Sequence, residues 1–365
     1  MSGPADAVYY LAPWGELPAV RLLARLHRAG VPVLSTDKAF VAGGRRYPSG
    51  TLIIPSAEGP SDLRARLARF AAETGADIIG VDDSWVTEGP NFGSENVVRM
   101  PAPKIAIAWD APTAPNQAGA TRYVVERRFD YPATAVRVED LNDRALDAFD
   151  VLILPGGGDY ARVLGASGVA RLKAWVEAGG TLVASSTALR FLSHPDTGLL
   201  SVKRETAARE TDAPATEEGA TAKGVLIATA DEARAAIQPA SKSPDPSSGV
   251  LARASVDEAH WLGAGVAPTV NVLVSGGDIY QPATLDNGFN VARFAGPEEF
   301  LASGFIWEET RRQYAYKPFA ISEERGDGEV VAFTQDPTFR AYMDGLFVLY
   351  ANAIFRGPAH ASPAR

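Results

Sequence analysis

The chain has 365 residues, 46% of them hydrophobic, enough to bury a sizeable core in two domains of roughly 150 residues each with some extra. Forty-four acidic residues against 35 basic ones leave a net charge of −9 and no Lys/Arg cluster, which argues against a nucleic-acid partner because phosphate binding needs a basic face. There is no cysteine, so disulfides, thiolate metal sites and thiol nucleophiles are excluded.

From the start, MSGPADAVYYLAPWGELPAV carries no basic segment followed by an apolar run, and nowhere is there an uncharged apolar stretch of roughly 18 residues. No signal peptide and no membrane span are expected; the opening reads as a cut inside a longer polypeptide or, equally, as an ordinary flexible terminus. Val8–Leu11 is the first apolar run. Leu17, Val20, Leu23 and Leu26 recur at helical spacing up to Gly30, and Val31–Leu34 is extended. Phe40 and Val41 lead into the turn Gly43-Gly44, Thr51–Ile54 is another strand, Leu63, Leu67 and Phe70 mark a helix ending at Gly75, and Ile78–Val81 closes the unit. The order predicts a small split α/β domain over 1–85, resembling the ferredoxin-like arrangement. Residues 86–103, rich in turn formers and holding three prolines, read as a linker.

A second domain is expected over 104–360. Lys104–Trp109 is a strand, Asn116 can cap a helix through Phe129, Thr134–Val138 is a strand, and Val151–Leu154 is the continuous apolar run of a central parallel strand. Ser167 is expected to cap a helix ending at Gly179-Gly180, before the strand Thr181–Ala184. Alternating strands and helices predict a doubly wound parallel sheet. Residues 201–249 are poor in aromatics and read as a mobile insertion. Strands resume at Val270–Val274, Asn290–Phe294 and Glu329–Phe333, and a final helix would set Phe339, Met343, Leu346, Tyr350 and Ile354 on one face.

Chemistry is expected over the carboxyl ends of the strands, near Asp110, Gly156, Gly157, Ser186, Glu308 and Arg340. The turn Pro155-Gly156-Gly157-Gly158 reads either as a cradle aiming N–H groups at an anion or as a tight turn. In Ala184-Ser185-Ser186-Thr187-Ala188 a buried strand turns abruptly into a helix, so the apex, assigned to Ser186, is held out beside helix N–H groups; Ser185 or Ser186 is otherwise a helix cap. A serine needs a base. Of His27, His194, His260 and His360, only His260 lies near a loop able to face the site. No histidine has Glu three positions on, so no zinc site and no other cofactor is expected.

The segment DVLILPGGGDYARVLGASGVARLKAWVEAGGTLVASSTALRFL resembles the core of class I glutamine amidotransferase-like domains. That resemblance implies a flavodoxin-like sheet, with Ser186 in the place of the nucleophilic cysteine and no histidine in the late strand Glu329–Pro337. A second resemblance covers nearly the whole chain through VDDSWVTEGPNFGSENVVRMPAPKIAIAWD, TRYVVERRFDYPATAVR, NVARF, SGFIWEET and FTQDPTFRAYMDGLFVLYANAIFRGPAH. These are similar to the region downstream of the catalytic domain in large bacterial zinc carboxypeptidases of the carboxypeptidase A type. The likeness implies a periplasmic or extracellular accessory region, free of zinc ligands, partnered in cis or in trans with a zinc carboxypeptidase catalytic domain and holding a peptide. From another class, the alternative is a serine hydrolase or amidase with Ser186 as nucleophile, His260 as base and the Gly157 N–H in an oxyanion hole.

Overall fold

The computed structural model describes residues 1–142, 144–208, 226–237 and 242–361. The first stretch forms β1 (Tyr9–Ala12), α1 (Leu17–Arg28), β2 (Leu34–Thr36), β3 (Phe40–Ala42), β4 (Arg45–Tyr47), β5 (Leu52–Pro55), α2 (Leu63–Thr74), β6 (Ile79–Val81), β7 (Val86–Glu88) and β8 (Val97–Arg99). α1 follows from the helical spacing of Val20, Leu23 and Leu26, all fully buried, and α2 stops where Gly75 adopts the left-handed φ of 80° that a β-carbon would disfavour. Five strands make an antiparallel sheet in the order β6-β1-β5-β2-β8, and three make a small sheet β4-β3-β7. The expected linker at 86–103 is corrected here. Its turn formers flank two strands, β7 pairing with β3 and β8 with β2, both too short and polar to register as strands in the sequence.

The remaining elements are β9 (Ile105–Trp109), α3 (Pro115–Tyr123), β10 (Thr134–Arg137), β11 (Val151–Leu154), α4 (Tyr160–Glu177), β12 (Thr181–Ser185), α5 (Leu189–Leu192), α6 (Ala230–Ala236), β13 (Ser247–Val256), β14 (Thr269–Gly276), β15 (Phe289–Phe294), β16 (Leu301–Ser303), α7 (Glu308–Tyr314), β17 (Pro318–Arg325), β18 (Gly328–Phe333), α8 (Phe347–Ala351) and α9 (Gly357–His360). They form one large sheet in the order β10-β9-β11-β12-β18-β17-β15-β13-β14, with β16 on β13. Its first five strands are mutually parallel and the rest antiparallel. The protein is thus a mixed α/β fold on a large mixed sheet. The parallel sheet expected from the sequence holds for five strands and gives way at the tight turn Gly326-Asp327, with Gly326 at φ 61°, which folds β18 directly back on β17.

The parallel half is buried on both faces. Ile105, Val151, Ile153, Val183 and Val331 point to one core, shared with α1 and the C-terminal helices, while Leu152, Leu154, Leu182 and Val330 point to the other, against α4. The N-terminal unit is joined to this sheet by buried polar contacts as well. Trp14 Nε1 donates to Asn352 Oδ1 at 2.8 Å, and the fully buried Arg356 donates to Asp37 Oδ1 at 2.5 Å.

Several local expectations change. α3 begins at Pro115 behind Ala114 without a side-chain cap from Asn116, and it passes into a π-helical turn at Val124–Arg128. α4 starts at Tyr160, capped by Asp159, whose carboxylate accepts the Arg162 N–H at 3.0 Å; Ser167 falls inside it, just beyond a break at Gly165. The single C-terminal helix is broken because Arg340 and Ala341 adopt left-handed φ values of 48° and 56°, leaving Phe339, Met343 and Leu346 ahead of α8 and Ile354 in the π-helical turn after it. Of the insertion expected at 201–249, residues 209–225 and 238–241 lie outside the described residues; the rest includes α6 and the start of β13.

Candidate functional site

The carboxyl ends of β9, β11, β12 and β18 open onto the turn at Ser186. Ser185 ends β12 in extended conformation (φ −140°, ψ 153°), and Ser186 then takes φ 55°, a left-handed value unusual for a residue with a β-carbon. Neither serine caps the following helix through its side chain, so the cap reading is corrected. Among the described residues the half-buried Ser186 Oγ has one hydrogen bond, accepted from Gln117 Nε2 at 3.5 Å.

The glycine turn is spoken for. Gly156 N–H donates to Gln117 Oε1 at 2.8 Å, Gly157 N–H to Thr187 Oγ1 at 2.9 Å, and Gly158 N–H to the Pro112 carbonyl at 2.8 Å. Thr187 Oγ1 returns a bond to the Gly157 carbonyl at 2.9 Å. Each donor of the expected anion cradle already has a partner, which corrects that reading to a stitched turn. Crowding requires glycine at 157, where a β-carbon would stand 2.6 Å from the Pro112 carbonyl; at Gly156 it would stand 2.2 Å from Gln117 Oε1, the movable end of a side chain. Beneath the turn Tyr160 donates to the Pro155 carbonyl at 2.7 Å and meets Thr113 Oγ1 at 3.0 Å; burial pushes its phenol up to about 12.

Asp110 follows β9 with φ 61°, and its carboxylate lies 3.4 Å from Arg137 Nε in an exposed pair. Arg340 is exposed, lies over its neighbour Phe339 at 5.4 Å, and has no ion-pair partner among the described residues. It lines a cleft of about 600 Å³ with Asn116, Gln117, Tyr123, Phe339 and Asp336. Asp336 is buried, accepts the Thr338 N–H and hydroxyl at 2.8 Å each, and has its carboxyl pushed up by burial against those two hydrogen bonds. Gln117 therefore joins this cleft to Ser186.

Two expected members stand apart. Glu308 is exposed at the start of α7 and pairs with Arg311 of the same helix at 2.5 Å. His260 follows β13 and lines a different cleft with Glu329, the residue paired with Thr181 at the amino end of β12. Four strand residues, about 13 Å, separate that end from Ser185. His260 is thus not brought to Ser186, and burial pulls its imidazole down to about 4. Gln117, Thr187 and Tyr160 escaped the sequence reading because each lies on a helix or turn with no spacing that ties it to Ser186. Among the described residues no group of His, Asp and Glu could hold a metal ion, and no helix is long and apolar enough to cross a membrane.

No protein-family model and no curated protein matches the chain. Among solved structures, a ThuA-like protein of Parabacteroides merdae is 11% identical with a TM-score of 0.46, covering 72% of this chain and 91% of its own. A ThuA-like protein of Bacteroides uniformis is 11% identical with a TM-score of 0.42, covering 68% and 89%. A GMP synthase-type protein of Thermoplasma acidophilum is 12% identical with a TM-score of 0.41, covering 69% and 92%. These likenesses run to ThuA-like and GMP synthase-type proteins rather than to carboxypeptidases, which overturns the resemblance to the downstream region of zinc carboxypeptidases.

Proposed function

We propose that this chain is a non-catalytic binding protein that holds a peptide-type ligand, by its carboxylate, over the carboxyl ends of the parallel strands. We read the parallel half as a flavodoxin-like, doubly wound sheet of glutamine amidotransferase class I type, preceded by a smaller α/β domain, with Ser186 at a degenerate nucleophile elbow. One observation carries the binding site. Of six non-glycine residues with left-handed φ among those described, Asp110, Ser186, Arg340 and Ala341 follow the ends of β9, β12 and β18. Each such residue costs on the order of 1–3 kcal/mol, and strain of this kind is retained where a ligand is held. Arg340, without an ion-pair partner among the described residues and lining one cleft with the carboxamides of Asn116 and Gln117, suits a carboxylate, which a guanidinium grips through two parallel N–H groups. The lack of a base beside Ser186 among the described residues, and the occupied N–H groups of Gly156 and Gly157, support binding over hydrolysis.

A tripeptide with a free carboxylate is expected to shift the NMR signals of Gln117 and Arg340, its C-terminal amide to shift them little, and Arg340→Met or Gly157→Trp to abolish the difference. Equal shifts with acid and amide would defeat the reading. The serine hydrolase alternative draws on the left-handed, nearly unpartnered Ser186. Labelling by a fluorophosphonate probe that disappears in Ser186→Ala would establish it in place of the binding reading.

A further inference from the structure

At the amino ends of the same strands, six distant segments meet around a second cleft of about 850 Å³: 37–38, residue 96, 257–261, 285–289, 322–329 and residue 360. Side chains form a continuous wall. Glu329 accepts from the Ser322 hydroxyl; Ser322 pairs across the sheet with Phe289; Phe289 lies 5.0 Å from the His260 ring; and Trp261 stacks on His360 at 4.7 Å and 13°. His360 Nε2 is 3.2 Å from Asp37, which Arg356 holds from below.

We propose that this cleft binds a primary alkylammonium group, seated between the Glu324 and Glu329 carboxyls and the Phe289 ring. Glu324 and Glu329 are directly opposed on β17 and β18, which puts their side chains on one face about 5 Å apart at the β-carbons. Glu329 is 3% exposed and has only the Ser322 hydroxyl; among the described residues no cation is paired with it. Phe289 is 48% exposed and lines the cleft, an aromatic surface of the kind that an ammonium group with a methylene stem packs against. Asp257 and Asp286 add negative charge at the rim, while of the two lining cations Arg325 is turned to Glu323 and the Leu199 carbonyl, leaving Lys38 alone. His260 accepts the Leu262 N–H on Nδ1 at 3.1 Å, which puts its proton on Nε2 and keeps the ring neutral toward an arriving cation. Burial and the neighbouring Glu324 and Glu323 push Glu329 up to about 7, the state of a buried carboxyl for which an incoming ammonium would supply the missing counter-charge.

The test is titration of the full chain with 1,5-diaminopentane and with 1,5-pentanediol, the same length with hydroxyls for ammonium groups, read by NMR on the imidazole protons of His260 and His360. Saturable shifts with the diamine alone are expected, with a Kd raised about tenfold or more by Glu324→Gln with Glu329→Gln. Glu324 is exposed, so Glu324→Gln alone, expected to weaken binding several-fold, keeps the test open if the double variant folds poorly. No saturable shift with the diamine, equal shifts with the diol, or unchanged titration of the Gln variants would overturn the proposal. Because the two clefts lie at opposite ends of the strands, failure here leaves the carboxylate reading at Ser186 untouched.

Discussion

The two ends of one set of parallel strands are built from different materials. At the carboxyl end, neutral hydrogen bonds tie off the backbone of Gly156–Gly158 and the cost is stored in left-handed residues such as Ser186 and Arg340. At the amino end the backbone is ordinary and the cost is stored in ionisable groups drawn away from water, Arg356 and Glu329 buried, Asp37 and His260 half-buried. Strain placed in the backbone is indifferent to pH, whereas strain placed in charge is not, so the two ends should respond to different perturbations.

The comparison breaks most sharply at Arg356. Arg356→Met takes one of two partners from the half-buried Asp37, leaving His360 Nε2 at 3.2 Å, in a site that also docks the N-terminal unit; loss of a charge-assisted hydrogen bond there should cost about 1.5–3 kcal/mol, measurable as a lowered midpoint in urea. Arg356→Met with Asp37→Leu should recover most of that loss, since an apolar pair of similar volume removes both desolvation penalties. Next comes pH. The folded-state pKa of Glu329 is raised from 4.5 to about 7, so its contribution to stability is full below about pH 4.5 and is lost as pH rises through about 7, on the order of 2–3 kcal/mol. Glu329→Gln should flatten that part of the stability profile. His27 runs the other way. Buried on α1 with both ring nitrogens unpartnered among the described residues, it is pulled down by burial to about 4, so its contribution is present above pH 6.5 and disappears as pH falls through 4; His27→Leu should blunt acid unfolding.

At the carboxyl end the effects are smaller. Gln117→Leu strands the Gly156 N–H and should cost about 1–2 kcal/mol with no dependence on pH between 5 and 8. Ser186→Gly relieves the left-handed backbone and should change stability by roughly 1 kcal/mol or less, in the favourable direction. If that variant is instead strongly destabilised, the Ser186 side chain has a structural role that its single 3.5 Å contact does not show.

How far the chain could be read in advance follows the same division. Continuous apolar runs such as Val151–Leu154, and glycine stops such as Gly75, announce their elements because burial on both faces and a left-handed terminus leave few alternatives. The strands at 86–88 and 97–99 are short and half polar, and the antiparallel extension depends on a turn at Gly326 whose consequence, reversal of direction, no periodicity encodes. Ser186 was legible because a strand running into a helix through small residues allows one apex. The occupied glycine N–H groups were not, since their acceptors come from Gln117, Thr187 and Pro112, far away in the chain. His260 was noticed for the wrong end of the sheet. Its true neighbours, Phe289, Trp261 and His360, are assembled by strand order, which only the fold supplies.

The pairing of Asp37 with Arg356 spans 319 positions in the chain. A ribosome adding about 5–20 residues per second needs on the order of tens of seconds to travel that far. Throughout that interval the N-terminal unit has been made, but the cation that completes its inner face has not. A nascent chain would therefore display Asp37 and the apolar surface of α1 to whatever else is nearby until the segment that carries Arg356 emerges and ends that exposure.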